Sequence, residues 1–353
     1  MSEGIRQILQ AGISAPSGEN SQPWLFSIDG NKVDIFNNAQ RDTSVYNHNQ
    51  RSHLVSHGCL IENIFIAAVA LGHHARLELF PENANPKLIS RFHFTAAEEQ
   101  DESGLFPYIA QRCTNRKPYK KIPLLSEHRE RIAQSITGIG EVKLKLTEDP
   151  VAIMRLAEVG ALNEKIVFEN RALHHFLFEH LTWTKSKDER NPGFYIDTLE
   201  LPPPAHFLFR MFQSWPLVSF LNTIGFSTLI KKGNQNVYQA ASAMGVLMTE
   251  TKYDLDYINI GRALQRIWLT ATKHGLAFQP LTGVLFFMQA IDGGASKRFS
   301  TEHIAQVQKH YKIVQKIFDV EHESVAIMFR MGYDGEPSAR TSRFPLENFI
   351  VKN

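Results

Sequence analysis

Two stretches of the chain repeat each other, and together they restrict what it can fold into. One reads His57-Gly-Cys-Leu-Ile-Glu-Asn-Ile-Phe-Ile-Ala-Ala-Val-Ala-Leu-Gly72, the other Ile260-Gly-Arg-Ala-Leu-Gln-Arg-Ile-Trp-Leu-Thr-Ala-Thr-Lys-His-Gly275. Gly58 aligns with Gly261, Ile64 with Ile267, Ala68 with Ala271 and Gly72 with Gly275. The apolar residues recur at helical spacing, and the closing glycines are helix stops. Small residues let two helices approach closely, as paired helices do at a dimer interface. Extended-looking sequence follows each. The pattern predicts a duplicated unit whose halves pack about a pseudo-two-fold axis, with the repeat helices as the central pair.

The rest of the chain reads as alternating helices and short strands, which predicts an α+β fold with antiparallel sheets flanked by helices. Ile5 to Ile13 is a short amphipathic helix. Trp24–Ile28 and Lys32–Phe36 are strands joined by Asp29-Gly30, a strong hairpin signal. Arg76–Phe80 and Ile89–Phe94 are two further strands. A division falls near residue 105, after the acidic stretch Ala96 to Ser103, giving halves of 1–105 and 106–353. In the second half, Ser126–Ile136, Ala152–Trp183 (one long helix or two in tandem), Asp254–His274 and Glu302–Phe318 read as helices. Val142–Leu146 and Ser324–Met331 read as strands, and Thr184–Gly193 as a charged, exposed connection.

Leu199 to Ile230 is an insertion rich in Phe, Trp, Leu and Pro. Pro202-Pro203-Pro204, Arg210 and Pro216 interrupt it, so it falls short of the ~20 apolar residues of a membrane span. It reads as an apolar lid or an arm packed on the body, with membrane-surface contact a further option. The 353 residues carry a net charge of +2, which gives no reason to expect a nucleic-acid partner. Two cysteines, Cys59 and Cys113, make no disulfide framework, and the expectation is a reduced cytoplasmic protein.

Chemistry concentrates in two places. Ala15 to Trp24 packs two prolines, Gly18, Ser17, Asn20, Ser21 and Gln22 into one rigid polar loop. It suits a flat aromatic ligand with polar edges, or serves only to connect a helix to a strand. Arg112-Cys-Thr-Asn-Arg116 sets two guanidinium forks and the Thr114 hydroxyl close together, a grip for a phosphate monoester or a solvated basic turn. Arg340 and Arg343 are a second basic pair that closes on the same phosphate or forms a basic tail. Glu169, His175, Glu179 and His180 could be read as metal ligands, but no second Glu-x-x-His helix matches them, and no metal is expected.

Together, Ala-Pro-Ser-x-x-Asn-x-Gln-Pro-Trp, Arg-x-Thr-x-Arg, the Gly261–Gly275 helix and the C-terminal arginine pair resemble the FMN-dependent nitroreductase superfamily. The resemblance runs from Ile5 to Phe344, with Leu199 to Ile230 as an unmatched insertion. Typical members are homodimers with the arginine motif ahead of the Ala-Pro-Ser loop. Here that motif stands only at Arg112, and the second half has no second Ala-Pro-Ser loop. The resemblance therefore implies the fused-dimer branch: a single-chain pseudo-dimer, able to pair again, with one composite FMN site. Arg112, Thr114, Arg116, Arg343 and Arg340 would grip the phosphate. Pro16, Ser17, Gly18 and Asn20 would lie against the flavin ring, and Gln279, Pro280, Leu281 and Thr282 would offer groups near it. It implies hydride transfer from NADH or NADPH to a flat aromatic, quinone or enone acceptor, with no catalytic acid or base. The alternative is an FMN-sequestering protein whose insertion covers the flavin.

Overall fold

The computed structural model describes residues 1–97 and 103–351. The first half runs α1 (Glu3–Gly12), β1 (Trp24–Asp29), β2 (Lys32–Asn37), α2 (Arg51–Ala70), β3 (His73–Leu79) and β4 (Leu88–Ala96). After it come α3 (Phe106–Gln111), α4 (Ser126–Gln134), β5 (Lys143–Thr147), α5 (Pro150–Glu169), α6 (Arg171–His180), β6 (Leu181–Thr182), α7 (Lys185–Arg190) and β7 (Phe194–Tyr195). The insertion forms α8 (Pro203–Met211), α9 (Trp215–Asn222) and the start of α10 (Phe226–Tyr238). The chain ends with β8 (Ala243–Thr249), α11 (Asp254–Lys273), β9 (Leu276–Pro280), α12 (Gly283–Ala290), α13 (Thr301–Ile317) and β10 (Ser324–Tyr333). This is an α+β fold. The acidic stretch on which the sequence division rests lies largely outside the described residues.

Two four-stranded antiparallel sheets carry the fold, in the orders β1-β2-β4-β3 and β5-β8-β10-β9. Counted along the chain, both read first, second, fourth, third. In both, the repeat helix links the second strand to the third. The first sheet opens with the Asp29-Gly30 hairpin, and Gly30 takes the left-handed φ of 59° that a tight turn needs.

The repeat helices are the central pair. A Cβ on Gly58 would lie 2.1 Å from the Ile258 carbonyl oxygen, and one on Gly261 2.0 Å from that of Val55. The two Cα atoms thus meet with no room for any side chain between them. Polar groups on the flanks fix the register of the pair. Gln265 donates to Asn63 at 2.6 Å, and buried Glu62 accepts from Arg262 at 2.9 Å and from Arg266. Gly72 and Gly275 end their helices at φ of 71° and 67°.

One apolar core fills the space between the first sheet, the helix pair and one face of the second sheet. A second lies on the other face, beneath α5, α12 and α13. β8 is buried along its whole length. Its unbroken apolar run shows no alternation, which is why the sequence does not separate it from a buried helix.

Ala152 to Trp183 takes the second of its two readings, helices in tandem: α5 and α6 divide at Asn170, whose side chain caps α6. Thr184 to Gly193 is not simply an exposed connection. It contains α7, where Asp188 is fully buried and accepts from the Ser342 amide at 2.7 Å. Of the four acid and histidine positions weighed as metal ligands, three are engaged separately. Glu169 accepts from Ser227 (2.6 Å) and faces His303 (3.1 Å), while His175 meets Arg171 and His180 meets the Phe176 carbonyl. Among the described residues, one helical stretch, Val45–Ala70, is long and apolar enough to cross a membrane, and 83% of its most apolar window is buried inside the protein.

Two measurements check this packing. Gly58→Ala should cost at least about 2 kcal/mol in chemical denaturation, because the added methyl meets backbone that cannot move aside. Gly233→Ala, which has open space in α10, should instead stabilise by about 0.5–1 kcal/mol. Burial opposes ionisation of Glu169, but hydrogen bonds from His303, Lys165 and Ser227 outweigh it and hold the carboxyl down at about 2. A depressed carboxyl stabilises the fold above its unfolded pKa and loses that contribution as pH falls through the folded one. Glu169→Gln should therefore lose about 2–3 kcal/mol near neutral pH. The gap to the parent should close between about pH 4.5 and 2.

Candidate functional site

The backbone of the Ala15–Trp24 loop is held tightly. α1 packs on α2 and delivers the loop. Glu19, Asn20 and Gln22 all take left-handed φ, at 48°, 58° and 49°. Such angles persist in non-glycine residues only where the surroundings enforce them. Here the Ser17 hydroxyl accepts from the Gln22 amide (2.9 Å), and the Gln22 side chain accepts from the Phe344 amide (3.0 Å). Gly18 serves differently from its sequence reading. Its φ is not left-handed, and a Cβ there would come within 2.8 Å of the Ser52 hydroxyl at the start of α2. Its small size lets the loop sit on that helix.

The C-terminal tail meets this loop. Asn20 donates to the carbonyls of Gly193 (3.1 Å) and Ser342 (3.0 Å), tying both to the first half. Beyond it, the Val351 amide donates to Phe26 at 2.8 Å, so the tail adds itself to the edge of β1. A segment that follows the second sheet thus completes the first.

The arginine motif arrives from the opposite side. α3 packs against both α2 and α11, and Arg112 leaves its end over the face of Trp268, 4.4 Å from the ring centroid. Asn115 donates to the Gly335 carbonyl (2.9 Å) and its amide to Phe278 (3.0 Å), which fixes the turn.

Loop, motif and tail enclose one cleft of about 230 Å³. Pro16, Ser17, Asn20, Arg112, Thr114, Arg116, Arg340 and Arg343 all line it, so the sequence-predicted residues from three distant segments converge. Its arginines are bound to neutral oxygens. Arg112 donates to Ser14 O, Arg116 to Thr198 O, Arg340 to Ala110 O and Arg343 to Ala15 O. The Nε atoms of Arg112 and Arg343 are buried and bonded to nothing among the described residues. Burial lowers the affinity of Arg343 for its proton, and repulsion from Arg112 adds to this, bringing its pKa to about 9. Arg112 is likewise lowered, by burial first, with Arg340 adding repulsion. Buried cations without anionic partners are costly, and an oxyanion in the cleft would relieve that cost.

Gln279, Pro280, Leu281 and Thr282 stand apart from this cleft. The Gln279 side chain is buried and accepts from Arg330 at 2.8 Å, itself stacked 3.9 Å over Tyr119. Pro280 pairs with Phe329, Leu281 packs beside Gly160, and Thr282 precedes α12. Among the described residues of Leu199–Ile230 none lines the cleft, and the insertion packs as an arm on α5 and α6. Sequence reasoning missed Glu19, Cys113, Phe194 and Thr198 on the cleft wall. Phe194 stacks under Arg116, 4.8 Å from ring centroid to guanidinium carbon. Its place depends on the two-residue pairing of β6 with β7, for which the sequence holds no signal. Burial raises the Glu19 carboxyl, opposed by the Arg116 charge.

Both cysteines are free. Cys59 is buried on α2, and burial pushes its thiol up to about 12. Cys113 lines the cleft. A thiol reagent should therefore label one cysteine per native chain, Cys113, and two in denaturant. Saturating inorganic phosphate should slow the native reaction by blocking the cleft.

No family model matches the chain. It is 24% identical over 313 residues to "Putative NAD(P)H nitroreductase Rv3131" of Mycobacterium tuberculosis H37Rv, covering 84% of this chain and 81% of that protein. To "Putative NAD(P)H nitroreductase acg" of the same strain it is 25% identical over 176 residues, 49% of this chain and 53% of the other. An uncharacterized protein of M. tuberculosis CDC 1551 is 23% identical over 339 residues, covering 95% of this chain but 46% of that one. The match thus spans about half the length of two of these curated relatives. Among solved structures, the FMN-dependent nitroreductase NfnB of Mycobacterium smegmatis aligns with 70% of this chain and 96% of its own, at 11% identity and a TM-score of 0.39. The similarity to proteins named putative NAD(P)H nitroreductases covers up to 84% of this chain.

Proposed function

We propose that the chain is an FMN-dependent oxidoreductase of the nitroreductase type, with one composite cofactor site in the cleft. The observation that carries this reading is the convergence of four arginines that form no ion pair within 4 Å among the described residues, two of them with buried, unbonded Nε atoms. That donor set fits a phosphate monoester. Arg112, Arg343 and Thr114 would hold the phosphate, with Arg116 and Arg340 at its sides. Pro16, Ser17, Gly18 and Asn20 would form the opposite wall, which the tail and Gly193 hold rigid.

When bound, FMN supplies hydride acceptance from NADH or NADPH and hydride delivery to a flat aromatic, quinone or enone acceptor. The chain contributes binding and orientation. Its arginines neutralise the phosphate, its loop fixes one wall, and Phe194 and Trp268 hold Arg116 and Arg112 in place. Such chemistry requires no side-chain acid or base, and no catalytic residue is assigned. The two halves, dividing near residue 105, are the proposed counterparts of two subunits, as the shared strand order and the central helix crossing support. The free cysteines accord with a reduced, cytoplasmic setting.

Arg112→Gln and Arg343→Gln should each weaken FMN binding at least tenfold, read by quenching of flavin fluorescence, since a charge-assisted contact contributes about 1.5–3 kcal/mol. Excess NADPH or NADH added without oxygen should bleach the bound flavin, and a quinone should restore its colour. Firm FMN binding with no bleaching by either nucleotide would replace the enzyme reading with that of an FMN-holding protein.

A further inference from the structure

The arm built by the insertion has two unlike sides. Its inner side is anchored: Phe209, Phe212, Trp215, Val218, Phe226 and Ile230 pack into the second core, and Lys231 bonds Glu158 of α5 at 2.8 Å. Its outer side is apolar and bare. Phe207 is 71% exposed, Phe220 65%, Ile224 73% and Leu229 66%, with Leu208 and Met211 about half exposed. These are six of the fourteen exposed large apolar residues among the described residues, gathered within 23 positions of sequence. Scattered apolar residues on a surface mean little, but a concentration of this kind marks a contact surface.

Charge selects among the possible occupants. From Leu201 to Thr249 the chain carries Arg210, Lys231 and Lys232 and no aspartate or glutamate. Arg210 and Lys232 are exposed on the same helices as the bare apolar groups. Helices α8, α9 and α10 have 9, 8 and 13 residues, too short to span a bilayer, which takes about 20. Short helices with apolar and aromatic groups outward, exposed cations among them and no carboxylate of their own suit the interface of an anionic bilayer. There the side chains enter the headgroup boundary and the cations meet lipid phosphates.

We propose that α8–α10 form a membrane-binding arm that seats this protein on the surface of an anionic lipid bilayer. The arm stands off the cleft, so this does not depend on the cofactor assignment.

Flotation of the full chain with lipid vesicles tests it. The protein should float with vesicles of phosphatidylcholine mixed with phosphatidylglycerol, and at least tenfold less with phosphatidylcholine alone or in high salt. Phe220→Ser combined with Ile224→Ser should abolish flotation while leaving the circular dichroism spectrum and thermal midpoint unchanged. Lys232→Glu, at an exposed position and so harmless to folding, should lower binding to the anionic vesicles about fivefold or more, as expected for reversing one cation near the surface. Absence of flotation on either vesicle would overturn the proposal. So would flotation indifferent to Lys232→Glu and to salt. A parent chain that is dimeric in solution and becomes monomeric in the double serine variant would assign the surface to a second copy instead.

Discussion

The structure depends on a backbone contact between Gly58 and Gly261. With no side chain at either position, α2 and α11 cross with their main chains touching, and everything else is laid out around that crossing. The first sheet and one face of the second share a single apolar core with the pair. α1, which packs on α2, delivers the Ala15–Trp24 loop to one side. α3, wedged against both helices, delivers Arg112 to the other, with Trp268 of α11 as the surface on which its guanidinium rests. A wider crossing would move the two walls of the cleft apart.

The cleft is the place where the fold leaves its electrostatics unfinished. Elsewhere, two buried carboxylates are matched by cations: Glu62 has two arginines, and Asp188 has Lys185 and a backbone amide. Buried Arg330 bonds Gln279 and three carbonyls and lies against two aromatic faces. In the cleft, the arginines hydrogen-bond only to neutral oxygens among the described residues, and the Glu19 carboxyl lies on the same wall. Their lowered proton affinities record the strain of burial and mutual repulsion. The left-handed angles of Glu19, Asn20 and Gln22 add conformational strain to the same wall. Both features are unfavourable in isolation, and both are expected where a structure is prepared for a ligand rather than for its own stability.

Much of this was legible in the chain. The aligned glycines predicted the central pair, Asp29-Gly30 the hairpin, and the arginines and the Ala-Pro-Ser loop the two walls. What was not legible has specific causes. β8 lacks the alternation that marks a strand. Asn170 divides one apolar periodicity into two helices by capping, a role its sequence context does not reveal. Gly18 is needed for its close approach to Ser52, a contact between distant segments that has no local signal. The Gln279 side chain is engaged by Arg330, about fifty positions away in the chain, a pairing with no local signal. Phe194 and Thr198 reach the cleft through tertiary contacts alone. Local signals identify which residue types suit a chemistry, while long-range pairing decides which of them meet.

The central claim is that loop, arginine motif and tail, drawn from distant parts of one chain, make a single cofactor site. Quantitation of flavin released from the purified, FMN-saturated protein tests it most directly. The account predicts one FMN per chain. Two per chain, or none, would contradict it.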